Sequence, residues 1–171
     1  SIVTNKQILS NTVFPVDLLP IKAVLVSQVQ MLTGLMIIIG TLSVAGEISA
    51  SAFLLPIIWF LHVIALIGII WVISLVNLVF RDLGNIVNLA MIILMVLSPI
   101  AYTRQMVPAN LQLIISLNPF AYFVLAYQDI LVFGVVPDLI NWTILLGISL
   151  TAFLVGGHFF ANVKRAMIDY V

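Results

Sequence analysis

Four long stretches of this chain carry almost no charge. Between Lys22 and Glu47 there is no Asp, Glu, Lys, Arg or His. From residue 50 to 80 there is only His62, from 83 to 103 none, and from 139 to 163 only His158. A helix rises 1.5 Å per residue, so about 20 apolar residues cross the hydrocarbon core of a bilayer. Each stretch meets that length. Charged residues make up 7% of the chain and hydrophobic ones 64%, against roughly 25% and 45–50% in soluble domains. A soluble fold of 171 residues cannot hide that much apolar surface. The reading is an all-α, polytopic membrane bundle made of one domain.

The net charge of zero offers no basic surface to nucleic acid, so no nucleic-acid partner is expected. Cysteine is absent, which removes disulfides, thiolate metal sites and cysteine nucleophiles. The chain opens at Ser1 within a polar stretch that reads as a loop between spans. The expectation is therefore a membrane domain whose earlier spans lie upstream.

Residues 1–20 form a polar-to-amphipathic lead. Ile8, Leu9, Thr12 and Val13 share one helical face, with Lys6, Gln7 and Asn11 elsewhere. Phe14-Pro15 ends that short helix, because a residue before proline is pushed out of the helical region. Spans are expected over 21–45, 52–79, 83–102 and 139–163. Residues 109–136 are apolar too, but Asn118-Pro119 cuts them into pieces over about 109–117 and 120–133, each short for a crossing. Either they form one kinked span, or a re-entrant helical hairpin that enters and leaves on one side. Basic residues collect in cytoplasmic loops. With a cytoplasmic lead, the hairpin puts Lys6, Lys22, Arg81, Lys164 and Arg165 inside, five of the six basic residues. A kinked span splits them three to three. The charge pattern favours the hairpin.

Ionisable groups inside a membrane mark proton relays, ion paths or catalysis. Here they amount to His62, His158 and, in the hairpin, Asp129. No metal-ligand spacing and no GxSxG-type nucleophile elbow accompanies them, so no metal site is expected. Both histidines read most simply as polar side chains packed between helices, and an intramembrane enzyme using His62 or His158 stands as the alternative. There is no GxxxxGK[ST] phosphate loop. Uphill transport would draw its energy from a separate polypeptide. Aromatic residues cluster in the hairpin: Phe120, Tyr122, Phe123, Tyr127 and Phe133, flanked by Tyr102 and Trp142. An interfacial belt accounts for such a cluster, and so does a stacking surface or outer gate for a solute with apolar faces, such as a sugar ring. Arg81-Asp82 is a cytoplasmic turn or a contact to a cytoplasmic subunit. Gly34 and Gly40, and Ala152 with Gly156, are small residues that would let helices approach closely.

Four segments, taken in order, carry a family resemblance: the lead from Asn5 through Ile8-Leu9 to Phe14-Pro15-Val16-Asp17-Leu18-Leu19-Pro20; Arg81-Asp82-Leu83; Ser98-Pro99-Ile100; and Leu117-Asn118-Pro119-Phe120 followed by Ala126-Tyr127 and Gly134. In these the chain resembles the permease subunit of ABC-type polysaccharide exporters, which export O-antigen, capsule or teichoic-acid chains in bacteria. The likeness covers essentially the whole chain as the C-terminal two thirds of such a permease. Two positions depart from it. Asn11-Thr12 stands where the family often has a basic residue, and Gln128 where it often has Arg after the hairpin tyrosine.

The resemblance implies a six-span subunit, with the first two spans upstream of this chain, in the bacterial inner membrane. It implies a homodimer around a central channel, membrane lipids around it, and a lipid-linked polysaccharide as cargo. No cofactor is expected in this chain; ATP and Mg would be used by a partner ATP-binding cassette subunit. Ile8, Leu9, Asn11, Phe14, Pro15, Arg81 and Asp82 would couple to that ATPase. Tyr102, Asn118, Pro119, Tyr122 and Tyr127 would form the outer gate and substrate path. The runner-up within transport is an exporter of drugs or small lipids on the same plan.

Overall fold

A computed structural model describes residues 18–80, 82–100, 102–103, 106–108 and 112–169. Among the described residues all regular structure is helical and there is no strand. Helix α1 runs Leu18–Ala45, a 3-10 turn spans Ala50–Leu54, and α2 runs Leu55–Val79. They are followed by α3 (Leu83–Leu97), α4 (Gln112–Leu117), α5 (Pro119–Leu131) and α6 (Leu139–Asp169).

Among the described residues, three stretches are long and apolar enough to cross a membrane: Leu18–Ala45, Ala50–Asn77 and Leu139–Val163. The fourth expected span, over 83–102, is shorter than its apolar run. Its helix stops at Leu97 after 15 residues, about 22 Å at 1.5 Å per residue. Proline is the cause. Pro99 has no N–H to donate, and Ser98 before it is extended, with φ −88° and ψ 141°. The second span begins close to where it was expected, but not as an α-helix. Its first residues form the 3-10 turn, capped by the Ser49 side chain, and Pro56 occupies the first turn of α2. The last helix continues beyond 163 to Asp169. The hairpin pieces fall at 112–117 and 119–131, close to the expected cut at Asn118-Pro119.

In lipid, apolar side chains gain little by leaving one hydrocarbon phase for another, so close packing and polar pins decide which helices associate. The main contact joins α2 and α6. A Cβ placed on Gly68 would meet the Ala152 carbonyl and Phe153 N, and one on Gly156 would meet the Gly68 carbonyl. Three small residues thus bring two backbones together, as expected for Ala152 and Gly156. No described residue comes as near to Gly34 or Gly40, where a Cβ would meet nothing within 4 Å. Those glycines lie on the exposed part of α1. Trp71 closes over the crossing, its ring 5.3 Å from Phe153 and 6.2 Å from Phe160.

A buried cluster of Leu55, Ile58, Leu61, Ala65, Phe123, Ala126, Ile130 and Leu145 joins α2, α5 and α6. Helix α1 is fastened to α2 by a polar pin: Trp59 Nε1 donates to Gln28 Oε1 at 3.1 Å, and Gln28 is buried. Interhelical hydrogen bonds of this kind contribute about 0.6 kcal/mol in membranes. Helix α3 is different, with no buried residue; side chains from later in the chain hydrogen-bond its C-terminal end.

Candidate functional site

That C-terminal end is where most of the expected gate residues meet. An α-helix leaves its last carbonyls unpaired, and in hydrocarbon each unpaired group costs several kcal/mol. Ser98 Oγ donates to the Leu94 carbonyl at 2.7 Å. Asn118 Nδ2 donates to the same carbonyl at 3.3 Å and to Ser98 Oγ at 2.9 Å. The Tyr102 hydroxyl reaches the Val96 carbonyl at 3.5 Å.

Asn118 also starts α5. Its Oδ1 accepts from Phe120 N at 3.0 Å, and Pro119 stands in the first turn, where a missing N–H is harmless. One buried amide therefore closes the end of α3 and opens α5. About ten residues further along α5, Gln128 Nε2 donates to the Pro99 and Tyr102 carbonyls at 2.5 and 3.1 Å. The non-helical strip after Leu97 is thus held along α5 at two levels.

Tyr122 and Tyr127 both pack against the buried cluster. The Tyr122 hydroxyl donates to the Ser116 carbonyl at 2.9 Å, tying α5 back to α4. Tyr127 lies beside His62, ring centroids 6.2 Å apart, and His62 stacks on Phe123 at 4.9 Å. The two tyrosine rings therefore rest against the helix bundle. Tyr102 packs against a second buried cluster, of Ile115, Ala121 and Leu125. With Val96, Leu97, Met106, Val107 and Ile115 it lines an apolar cavity of about 360 Å³ between α3 and α4.

The far end of α5 is fixed separately. Gly134 adopts φ +64°, a left-handed conformation that favours glycine, and the chain turns with Val135 N donating to the Asp129 carbonyl at 2.8 Å. Ser49 Oγ donates to the Gly134 carbonyl at 2.8 Å. This bond ties the 132–138 connection to the loop before α2.

Of the expected coupling residues, Asp82 is exposed in the turn before α3, its carbonyl accepting from Asn85 N at 3.1 Å. Ile8, Leu9, Asn11, Phe14, Pro15 and Arg81 lie outside the described residues. The two histidines are not brought together. His62 lies among Phe123 and Tyr127, and His158 is exposed on α6 with Asn162 Nδ2 at 2.9 Å from its Nε2. Neither is hydrogen-bonded to a serine or carboxylate in the described contacts. No group of three metal-ligating side chains converges among the described residues.

Sequence reasoning passed over the anchoring role of Gln128 and the Gln28–Trp59 pin. A signal for both was present. A glutamine within an apolar run must find a partner in lipid, but the sequence does not say which.

Residues 21–132 match the ABC-2 type transporter family. Over 167 residues, 96% of this chain, the sequence is 32% identical to O-antigen export system permease protein RfbA of Klebsiella pneumoniae. A second Klebsiella pneumoniae protein of that name is 30% identical over 167 residues, again 96% of this chain. The chain spans 64% of the length of each of these curated relatives. No solved structure matches it.

Proposed function

Since the chain belongs to the ABC-2 type transporter family, we propose that it is the permease part of an ATP-driven exporter of a lipid-linked polysaccharide, of O-antigen, capsule or teichoic-acid type, in a bacterial inner membrane. The observation that carries this reading is the similarity along 96% of the chain to proteins named as O-antigen export permeases. Nucleotide hydrolysis then falls to a separate ATP-binding cassette subunit, which uses ATP and Mg, and two copies of the permease line the path.

The Ser49–Gly134 bond supports the hairpin topology. It puts the loop before α2 and the connection after α5 on one side. If α2 crosses away from that side and α3 returns to it, the α4–α5 segment must enter and leave on the same side. In this arrangement α3 is a short crossing continued by a non-helical strip, with Asn118 satisfying the Leu94 carbonyl at the helix end and Gln128 the Pro99 and Tyr102 carbonyls of the strip. The lead and the Arg81-Asp82 turn face the opposite, cytoplasmic side, where an ATPase would dock.

Mechanistically, closure of the ATPase pushes on the lead and on the turn at 80–82, and the spans tilt. The hairpin follows, because α5 is fastened to the end of α3, to the loop before α2 and to the α2–α6 cluster. Tyr102 and the apolar cavity beside it form the part of the gate that opens, with Asn118 and Pro119 as its hinge and Tyr122 and Tyr127 as its packed base.

The test is site-specific crosslinking in native membranes with the full-length protein. A photoreactive group at Asn11 is expected to give a dominant adduct carrying a phosphate-loop ATPase, identified by mass spectrometry. A folded, abundant protein that yields no ATPase adduct would remove the energy source and the reading with it.

A further inference from the structure

We propose that one flank of α1, centred on Gln30, is the docking surface for another membrane helix of the same polypeptide, the span that precedes the lead. The inference needs α1 to cross the membrane and does not depend on what is exported.

Gln30 lies eight positions beyond Lys22, about 12 Å further along the helix, in a stretch with no charged residue. It is exposed, and its amide has no hydrogen-bond partner among the described residues. The hydroxyls around it are satisfied within their own helix. Ser27 Oγ donates to the Val24 carbonyl at 2.7 Å, Thr33 Oγ1 to the Val29 carbonyl at 2.7 Å and Thr41 Oγ1 to the Ile38 carbonyl at 2.8 Å. A glutamine at membrane depth needs a partner on another helix. Gln28 meets that need by accepting from Trp59 Nε1 of α2. Gln30 follows two positions later, about 200° round the helix, and so points away from α2.

The exposed surface of α1 divides into two flanks. Leu25, Val29 and Met36 are large, apolar and more than half exposed, as suits contact with lipid. Ala23, Ser27, Gln30, Gly34, Ile37 and Thr41 are exposed too, but all except Ile37 are small or polar. Small residues, Ala as well as Gly, let two helices approach. The spacing of these six alternates between four and three residues, the 3.5-residue repeat that keeps one seam turned toward a partner helix. From Ala23 to Thr41 the seam extends about 27 Å, close to the roughly 30 Å of the hydrocarbon core. A domain docked from the cytoplasm would cover only its first turns, whereas a membrane-spanning helix covers all of it.

Connectivity decides which helix that is. The chain spans 64% of the length of its curated relatives, which leaves more than a third of their length outside the match. The lead runs directly into α1 at Leu18, and elements consecutive in sequence usually pack side by side. A span before the lead comes down beside α1, whose other side is already held by α2.

The experiment uses the full-length permease with its ATPase in native membranes. A benzophenone amino acid replaces Ser27 or Ile37 on the seam, and Leu25 or Met36 on the lipid flank. After irradiation the crosslinked peptides are identified by mass spectrometry. The seam positions, and neither lipid-flank position, are expected to join α1 to a peptide upstream of the lead within one polypeptide. Seam adducts that reach only a second copy, another protein or lipid overturn the proposal, as do upstream adducts of equal yield from both flanks. Gln30→Leu supplies a second reading if the photoreactive side chains prevent folding. Loss of one interhelical hydrogen bond is expected to lower the folding equilibrium constant in mixed micelles about threefold. An unchanged or raised constant would put Gln30 against lipid, where leucine is the better residue, and would overturn the proposal as well. Either failure leaves the export reading in place, since that reading is tested by the adduct at Asn11.

Discussion

Ser98 and Asn118, 20 positions apart in the chain, are joined by a hydrogen bond of 2.9 Å that couples the end of α3 to the start of α5. Asn118 reaches further in both directions, to the Leu94 carbonyl and to Phe120 N. Replacing it with Ala removes a helix cap, typically worth about 1 kcal/mol, and strips a donor from the α3 terminus. Asn118→Ala in the full-length protein should lower the free energy of unfolding in mixed micelles by about 2 kcal/mol. Asn118→Asp keeps the cap acceptor but sets a buried carboxylate oxygen against the Leu94 carbonyl, and should cost at least as much. Equal stability of Asn118→Ala and wild type would mean that the two helices are held together by other contacts.

Gln128 holds the strip after α3 through the Pro99 and Tyr102 carbonyls. Gln128→Leu leaves both carbonyls without that donor, and each buried unpaired group costs about 1–3 kcal/mol. The expected result is faster protease cleavage in the strip and a lower unfolding midpoint. Gln128→Arg retains donors at this position and should be tolerated better than Leu. The opposite order of stability would show that Gln128 acts through its shape rather than its amide hydrogens.

The α2–α6 crossing admits no Cβ at Gly156, because the Gly68 carbonyl occupies that space. Gly156→Ala should destabilise the full-length protein by about 1–3 kcal/mol, the usual range for overpacking. The control is Gly34→Ala, where an added Cβ meets nothing within 4 Å. There the gain in helix propensity, roughly 0.5–1 kcal/mol, should leave the protein as stable as before or slightly more so. A thermal unfolding series in one detergent compares the two directly.

What the sequence made legible follows from the physics of each part. The long helices were legible because lipid demands uninterrupted apolar runs, and α1, α2 and α6 supply them. The break at Asn118-Pro119 was legible because proline chemistry is local. The same local rule foretold trouble at Pro99, yet the apolar run continued to Tyr102 and hydropathy alone carried the span past the true end of α3. Pairings between distant residues were not legible. Nothing around Gly68 distinguishes it from Gly34, although one sits against another backbone and the other in open space. The aromatic residues of the hairpin were read as one surface. The fold divides them, packing Tyr122 and Tyr127 on the α2–α5–α6 cluster and Tyr102 on a second cluster beside a cavity, a choice set by neighbours far away in sequence.

The hairpin itself makes a prediction about sidedness. Glu47 and Asp138 are both exposed and flank the Ser49–Gly134 bond, so both should face the outer side. Gln112, at the start of α4, belongs there too if the segment enters and leaves on one face. Asp82, in the turn between α2 and α3, should face the cytoplasm. Because the chain has no cysteine, single introduced cysteines report position without background from this part of the protein. In intact cells, an impermeant thiol reagent should label Glu47→Cys, Gln112→Cys and Asp138→Cys, and should reach Asp82→Cys only after the membrane is opened. Labelling of Gln112→Cys and Asp138→Cys from opposite sides would make α4 and α5 one kinked span. It would also reverse the side on which α6 ends, leaving Lys164 and Arg165 outside against the charge rule.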